Sequence, residues 1–307
     1  MLCLLNECTR SGYPPDYLMA RIRGSLDGYV AGAQTDGSTF QADDAVIWDA
    51  AVKARRWIYL QMESNLREAL APLFIHFELR TMILCLRILE GKQDDSKMIN
   101  LTQSLLAEGI KKMFLSPALP VEVLGKVEKF MRNSVLAMDG LVTSYVEGGM
   151  QGCEKFVRKQ FLERVVVVSG CPEVVGLFRK IIDQKNIVTL AKSLRWKIDS
   201  SSGLISGGYL RMRKADQLPT QATLEKMVQR FTGGSRVTAA ELHPLNLEPL
   251  LHDHLAHTVA GRVRSGDPVE CCMGYIWQTF VVARKRSEKY HAGRFTEYFP
   301  AGSESFQ

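Results

Sequence analysis

The spacing of apolar residues constrains this chain more than anything else in it. Ile75, Leu79, Met82, Ile83 and Leu86 recur at i, i+4, i+7, i+8 and i+11. That stripe is the width of a helix face turned toward a core. Few segments alternate with period two, the pattern of a half-buried strand. Residues 165–168 are four valines with strand-like composition, yet they lie inside a helical pattern. The expected fold class is therefore all-α, with helix content well above the usual third.

Helices are expected over residues 17–26, 43–71, 73–90, 100–113, 120–147, 154–168, 172–196, 221–231, 245–264 and 269–291. Asp16 reads as the first N-cap and Thr220 as another. Pro72 reads as a helix end, and Pro172 as a first-turn proline, where its missing N–H does no harm. Gly28, Gly32 and Gly37 mark a loop, and Gly148, Gly149 and Gly152 a break. Turns are expected over 91–96, 200–203 and 206–208, and the tail from Pro300 reads as frayed.

With 307 residues and 46% apolar content, the chain can bury the cores of two or three sub-domains of about 100 residues. Its net charge of +6 comes from Lys and Arg spread over many segments. That permits contact with an acidic partner or a membrane surface but falls short of a nucleic-acid footprint. The seven cysteines are odd in number, irregular in spacing and without C-x-x-C. They read as reduced thiols of a cytosolic protein. The first ten residues lack the features of a signal peptide. No apolar run is expected to reach the roughly 20 residues that cross a bilayer, so membrane association is expected only through a partner.

One internal repeat emerges. Residues 78–87 can be laid on residues 186–195, matching Thr81 to Thr189, Leu86 to Leu194 and Arg87 to Arg195. Glu78 stands opposite Asn186, and Ile75 opposite Asp183. A polar side chain at the edge of a core stripe can bond a neighbouring helix or loop and fix how helices cross. That is the favoured role for Asp183 and Asn186, with direct partner binding as the alternative.

Residues 182–195 resemble the D-x-x-N-I-x-T-L-x-R segment of the V-type ATPase stalk-to-ring coupling family, designated C in bacteria and archaea and d in eukaryotes. Leu204 to Leu210, with Gly207 and Gly208, resembles the glycine-pair loop that follows it there. Residues 17–23 are similar to that family's opening Y-x-x-A-R-I-R, and residues 268–277 to its last helix. The chain departs from the pattern at Ile75 and Glu78, and at Arg284, Lys285 and Arg286, which mark a divergent bacterial or archaeal member. The resemblance implies three related helical sub-domains, over residues 1–115, 116–218 and 219–307, arranged as a funnel with pseudo-three-fold symmetry. It implies a non-catalytic coupling role between the soluble rotor stalk and the membrane proteolipid ring. A protein in that place carries torque for ATP-driven ion transport or ion-driven ATP synthesis, and is cytoplasmic and peripheral to the membrane. Glu78, Thr81, Arg87, Asp183, Asn186, Thr189, Arg195, Gly207 and Gly208 are then structural repeat positions. Arg284, Lys285 and Arg286 are candidates for docking on an acidic stalk or ring surface.

Direct chemistry finds little support. There is no G-x-x-x-x-G-K-[ST] loop and no G-x-S-x-G elbow. His254 and His257 share a helix face, and Asp253 shares one with His257. Zinc takes such donors, but no H-E-x-x-H supplies a general base, and a solvated polar face is the favoured reading. Cys271 and Cys272 read as packing residues. No catalytic residue, cofactor, metal or nucleic acid is expected. Two other readings stay open: a free-standing helical scaffold derived from the same family, and a metal-dependent enzyme built on His254 and His257.

Overall fold

The computed structural model describes residues 4–8, 11–35, 44–91, 101, 103–116, 118–132, 134, 137–198, 203–210, 220–235 and 237–298, with backbone alone over 26–35, 44–46 and 289–298. Among the described residues the chain is all-α. The one extended pairing there is a bridge between Leu5 and Leu106. The principal helices are α1 (Pro15–Thr35), α2 (Asp44–Gln61), α3 (Ser64–Leu89), α4 (Glu108–Leu115), α5 (Pro120–Met131), α6 (Leu141–Val168), α7 (Pro172–Trp196), α8 (Gln221–Phe231), α9 (Pro244–Ala260) and α10 (Pro268–Tyr298). A 3-10 turn (Gly261–Arg264) precedes α10.

The chain divides into two compact units. The first holds Met1–Cys8 and Asn65–Val259; the second holds Thr9–Ser64 and Ala260–Gln307. This division cuts the chain at other places than the three-repeat boundaries, which concern internal similarity and not contact.

In the first unit, Met82, Ile83 and Leu86 of α3 share a core with Phe114 of α4, Val127 of α5 and Val157 of α6. A second apolar cluster joins Ile187 and Leu190 of α7, Leu224 and Val228 of α8, and Leu247 and Leu251 of α9. α3 is long and apolar enough to cross a membrane by length and composition, with a mean hydropathy of 1.6 over its best window. Two-thirds of that window is buried inside the protein, as in a core helix. In the second unit, Ile47 and Ala51 of α2 pack on Ala283 of α10. Trp48 lies against Phe280, and Trp57 against Tyr275.

α6 is one helix in name only. Gly149 has φ 59° and ψ −156°, a conformation essentially confined to glycine. A Cβ on Gly152 would lie 2.7 Å from the Ser144 carbonyl oxygen. In a straight helix residues eight apart are separated by about 12 Å. The chain therefore folds back at Gly149, and the glycine break read from the sequence is this reversal.

Several local expectations need correction. α1 continues through Gly28 and Gly32 to Thr35, since an isolated glycine costs a helix about 1 kcal/mol without ending it. Asp16 is inside its first turn and not the cap, because Pro15 opens the helix. The expected helix over 43–71 breaks at Met62 and Glu63, and Pro72 is buried within α3. Residues 104–107 leave the helix expected over 100–113 and run extended against Leu4 to Asn6. The helix expected over 120–147 stops at Met131 and resumes after Gly140, whose φ of 98° is left-handed. α10 runs to Tyr298, beyond the expected 291. Gly37, the turn from 92, the loop over 200–202 and the tail from Pro300 lie outside the described residues.

Other boundaries hold. α7 spans Pro172–Trp196 with Pro172 in its first turn. Thr220 caps α8, its Oγ1 accepting from the Thr223 N–H at 3.2 Å. The four valines end α6 as helix.

Candidate functional site

α7 carries two buried polar residues on its core face, Asp183 and Asn186. Both are spent on the loop over 203–210. The Asn186 Nδ2 donates to the Ile205 carbonyl at 2.8 Å, and the Ile205 N–H donates to Asn186 Oδ1 at 2.9 Å. One amide thus satisfies both backbone groups of a buried residue. Asp183 accepts from Tyr209 N–H on Oδ2 at 3.1 Å and from Leu210 N–H on Oδ1 at 3.0 Å. From α6, Glu163 accepts from the Ser206 N–H at 2.9 Å.

The two glycines make this clamp possible. Gly207 has φ 101°, which turns the loop back onto α7. A Cβ on Gly208 would sit 2.1 Å from Asp183 Oδ1. Only hydrogen leaves room for the carboxylate to reach the two following N–H groups. Thr189 closes the far end: its Oγ1 donates to the Lys185 carbonyl, and its methyl lies where a Gly203 side chain would be. The Arg179 guanidinium stands 5.5 Å over the Tyr209 ring. Burial raises the Asp183 carboxyl above its ordinary range, and the Leu210 and Tyr209 N–H groups pull it back down.

On α3 a buried carboxylate also holds a neighbouring segment, with different atoms. Glu78 of α3 is buried, and its Oε1 accepts from the Leu105 N–H at 2.9 Å. A carboxylate has no donor for the Leu105 carbonyl. That carbonyl instead takes the Asn6 N–H at 2.7 Å, and the Ala107 N–H returns to the Leu4 carbonyl at 3.0 Å. The amino-terminal segment thus supplies the donor that Asn186 carries itself.

The remaining repeat positions are less alike. Arg87 pairs with Glu154, which also bridges to Arg158. Arg195 is exposed at the end of α7, and Thr81 is half-buried on α3. Arg284, Lys285 and Arg286 lie on α10 in the second unit. Arg284 pairs with Glu288 one turn on at 2.6 Å, Lys285 is exposed and Arg286 half-buried.

Sequence reasoning missed Glu163, Asn6, Leu105 and Gly203. The partners of Asp183 and Asn186 are backbone groups, and nothing in residue identity marks a backbone group as a partner.

Among the described residues no disulfide joins Cys85, Cys153, Cys171, Cys271 and Cys272. Burial pushes Cys85 up to about 12 and Cys153 and Cys171 up to about 11, away from reactive thiolate. Burial, with Lys185 and Arg158 nearby, lowers His76 to about 3, and its ring packs among Phe77, Phe161 and Phe178. His254 packs on Phe231, and burial lowers its pKa as well. Among the described residues no three His, Cys, Asp or Glu side chains gather as a metal site.

No family model matches the chain, and no curated protein matches it.

Proposed function

We propose that this chain is a coupling subunit of a V-type rotary ATPase, joining the soluble rotor stalk to the membrane proteolipid ring. The observation that carries the reading is the paired clamp. The residues resembling the family's D-x-x-N segment and glycine-pair loop are the ones bonded to each other, through Asp183, Asn186 and Gly208. The first repeat holds its own loop through Glu78 in the equivalent position.

A coupling part has to transmit torque without absorbing it. Buried, fully bonded polar networks make helix–loop junctions stiff. In this reading three helical repeats, over 1–115, 116–218 and 219–307, form a funnel of approximate three-fold symmetry. Arg284, Lys285 and Arg286 meet acidic groups on the stalk or ring. The protein is peripheral to the membrane through the complex, and catalysis belongs to other subunits.

The test is co-purification. Tagged chain, recovered from detergent-solubilised membranes, is expected to bring stalk and ring subunits in stoichiometric amount. A rotary complex purified intact without this chain would overturn the reading in favour of a free-standing helical scaffold.

A further inference from the structure

The chain's positive charge is less evenly placed than its Lys and Arg count suggests. Residues 150–198 hold ten Lys and Arg against four acids, a net of +6. The whole chain is also +6, so the remainder sums to zero. Part of this charge is paired, Lys192 with Glu248 and Arg158 with Glu154, and the four acids also serve the fold. Asp183 and Glu163 accept from loop N–H groups, Glu173 from the Cys171 thiol, and Glu154 bridges Arg87 and Arg158.

At the end of α7 Arg195, Trp196, Lys197 and Ile198 follow one another, and all four are exposed. Trp196 is 52% exposed and Ile198 59%. Lys197 is the one non-glycine residue among those described with positive φ, at 54°. The left-handed turn it makes is normally left to glycine or asparagine. The Ser193 hydroxyl donates to the Ile198 carbonyl at 2.5 Å, fixing the chain after the turn. The fold therefore accepts local strain at a lysine and holds an indole and an aliphatic side chain in water beside two cations.

We propose that Arg195, Trp196, Lys197 and Ile198 form a contact for the surface of an anionic lipid bilayer. Indole belongs in the headgroup layer, where its ring is apolar and its N–H stays hydrated. The cations answer the negative surface potential, each contributing about fivefold in affinity. Single-stranded nucleic acid is met by successive aromatic rings that stack the bases. This run has one ring and an aliphatic neighbour, which suits the acyl boundary better. The net positive charge of residues 150–198 has the sign that such a surface attracts.

The contact stands apart from the coupling reading, because it needs lipid alone. The test is flotation of the full chain with vesicles of phosphatidylcholine, and of phosphatidylcholine mixed with phosphatidylglycerol. Anionic vesicles are expected to retain the protein at least about 25-fold better, from two cations at about fivefold each. The emission of Trp196, obtained by difference against Trp196→Phe, should shift to the blue. Trp196→Ala combined with Ile198→Ala should lose retention with an unchanged Tm, since both positions are exposed. Lys197→Gly separates fold from contact: Tm should rise as the strain is relieved, while retention falls about fivefold. Equal retention by neutral vesicles, an unmoved Trp196 spectrum, or undiminished retention of Lys197→Gly would each overturn the proposal. So would binding to an acidic polypeptide or an oligonucleotide with none to vesicles.

Discussion

Asn186→Ala is expected to destabilise the first unit by about 2–6 kcal/mol, because it strands two buried backbone groups at about 1–3 kcal/mol each. Those groups are the N–H and carbonyl of Ile205, which the Asn186 amide satisfies together. For a unit of this size the loss corresponds to a fall in Tm of about 5–15 °C. Asn186→Leu should be no milder, since filling the space restores neither bond. Asp183→Asn provides the graded comparison. Its oxygen can still accept one N–H, but its NH2 faces the other donor of Tyr209 and Leu210. A loss of about 1–3 kcal/mol is expected there. Differential scanning calorimetry of the three variants checks the order. Wild-type stability in Asn186→Ala would remove the clamp from the account.

Gly12→Ala is expected to cost about 2–6 kcal/mol in the second unit. Two separate penalties of about 1–3 kcal/mol combine: a left-handed backbone at an alanine and overpacking against rigid neighbours. Gly12 has φ 75°, and a Cβ there would lie 2.3 Å from the Met62 carbonyl oxygen and 2.5 Å from the Glu63 nitrogen. Those are backbone atoms and cannot rotate aside. Next to them the Tyr13 N–H donates to the Gln61 carbonyl at 2.7 Å. Trp48, Trp57 and Trp277 all belong to this unit, so denaturant titration followed by tryptophan emission reports on it. A midpoint unchanged from wild type would show that the approach of Gly12 to Met62 is dispensable.

The same contact explains what the sequence concealed. The break between α2 and α3 falls at Met62 and Glu63, where no proline or glycine announces it. It coincides with the place where the Gly12 backbone abuts the chain, a partner fifty residues away. Pro72, the local signal for a stop, is absorbed in the core of α3. Where capping chemistry is local, reading succeeds: Pro172 opens α7, and Thr220 caps α8. The helical stripe of α3 and the Gly149 break are legible for the same reason.

The candidate site was legible in half. Asp183, Asn186, Gly207 and Gly208 stand out as polar residues on an apolar stripe and as a glycine pair. Their mutual bonding is a fact of tertiary structure. Glu78 shows the limit most clearly. In sequence it simply differs from Asn186, and only the structure shows that the Asn6 N–H serves the Leu105 carbonyl beside it.

The central claim is that the chain couples rotation to ion movement, and removing it tests that claim most directly. Membrane vesicles from cells lacking the chain should hydrolyse ATP yet build no ATP-driven ion gradient, and adding the purified protein back should restore the gradient. An undiminished gradient in its absence would contradict the account.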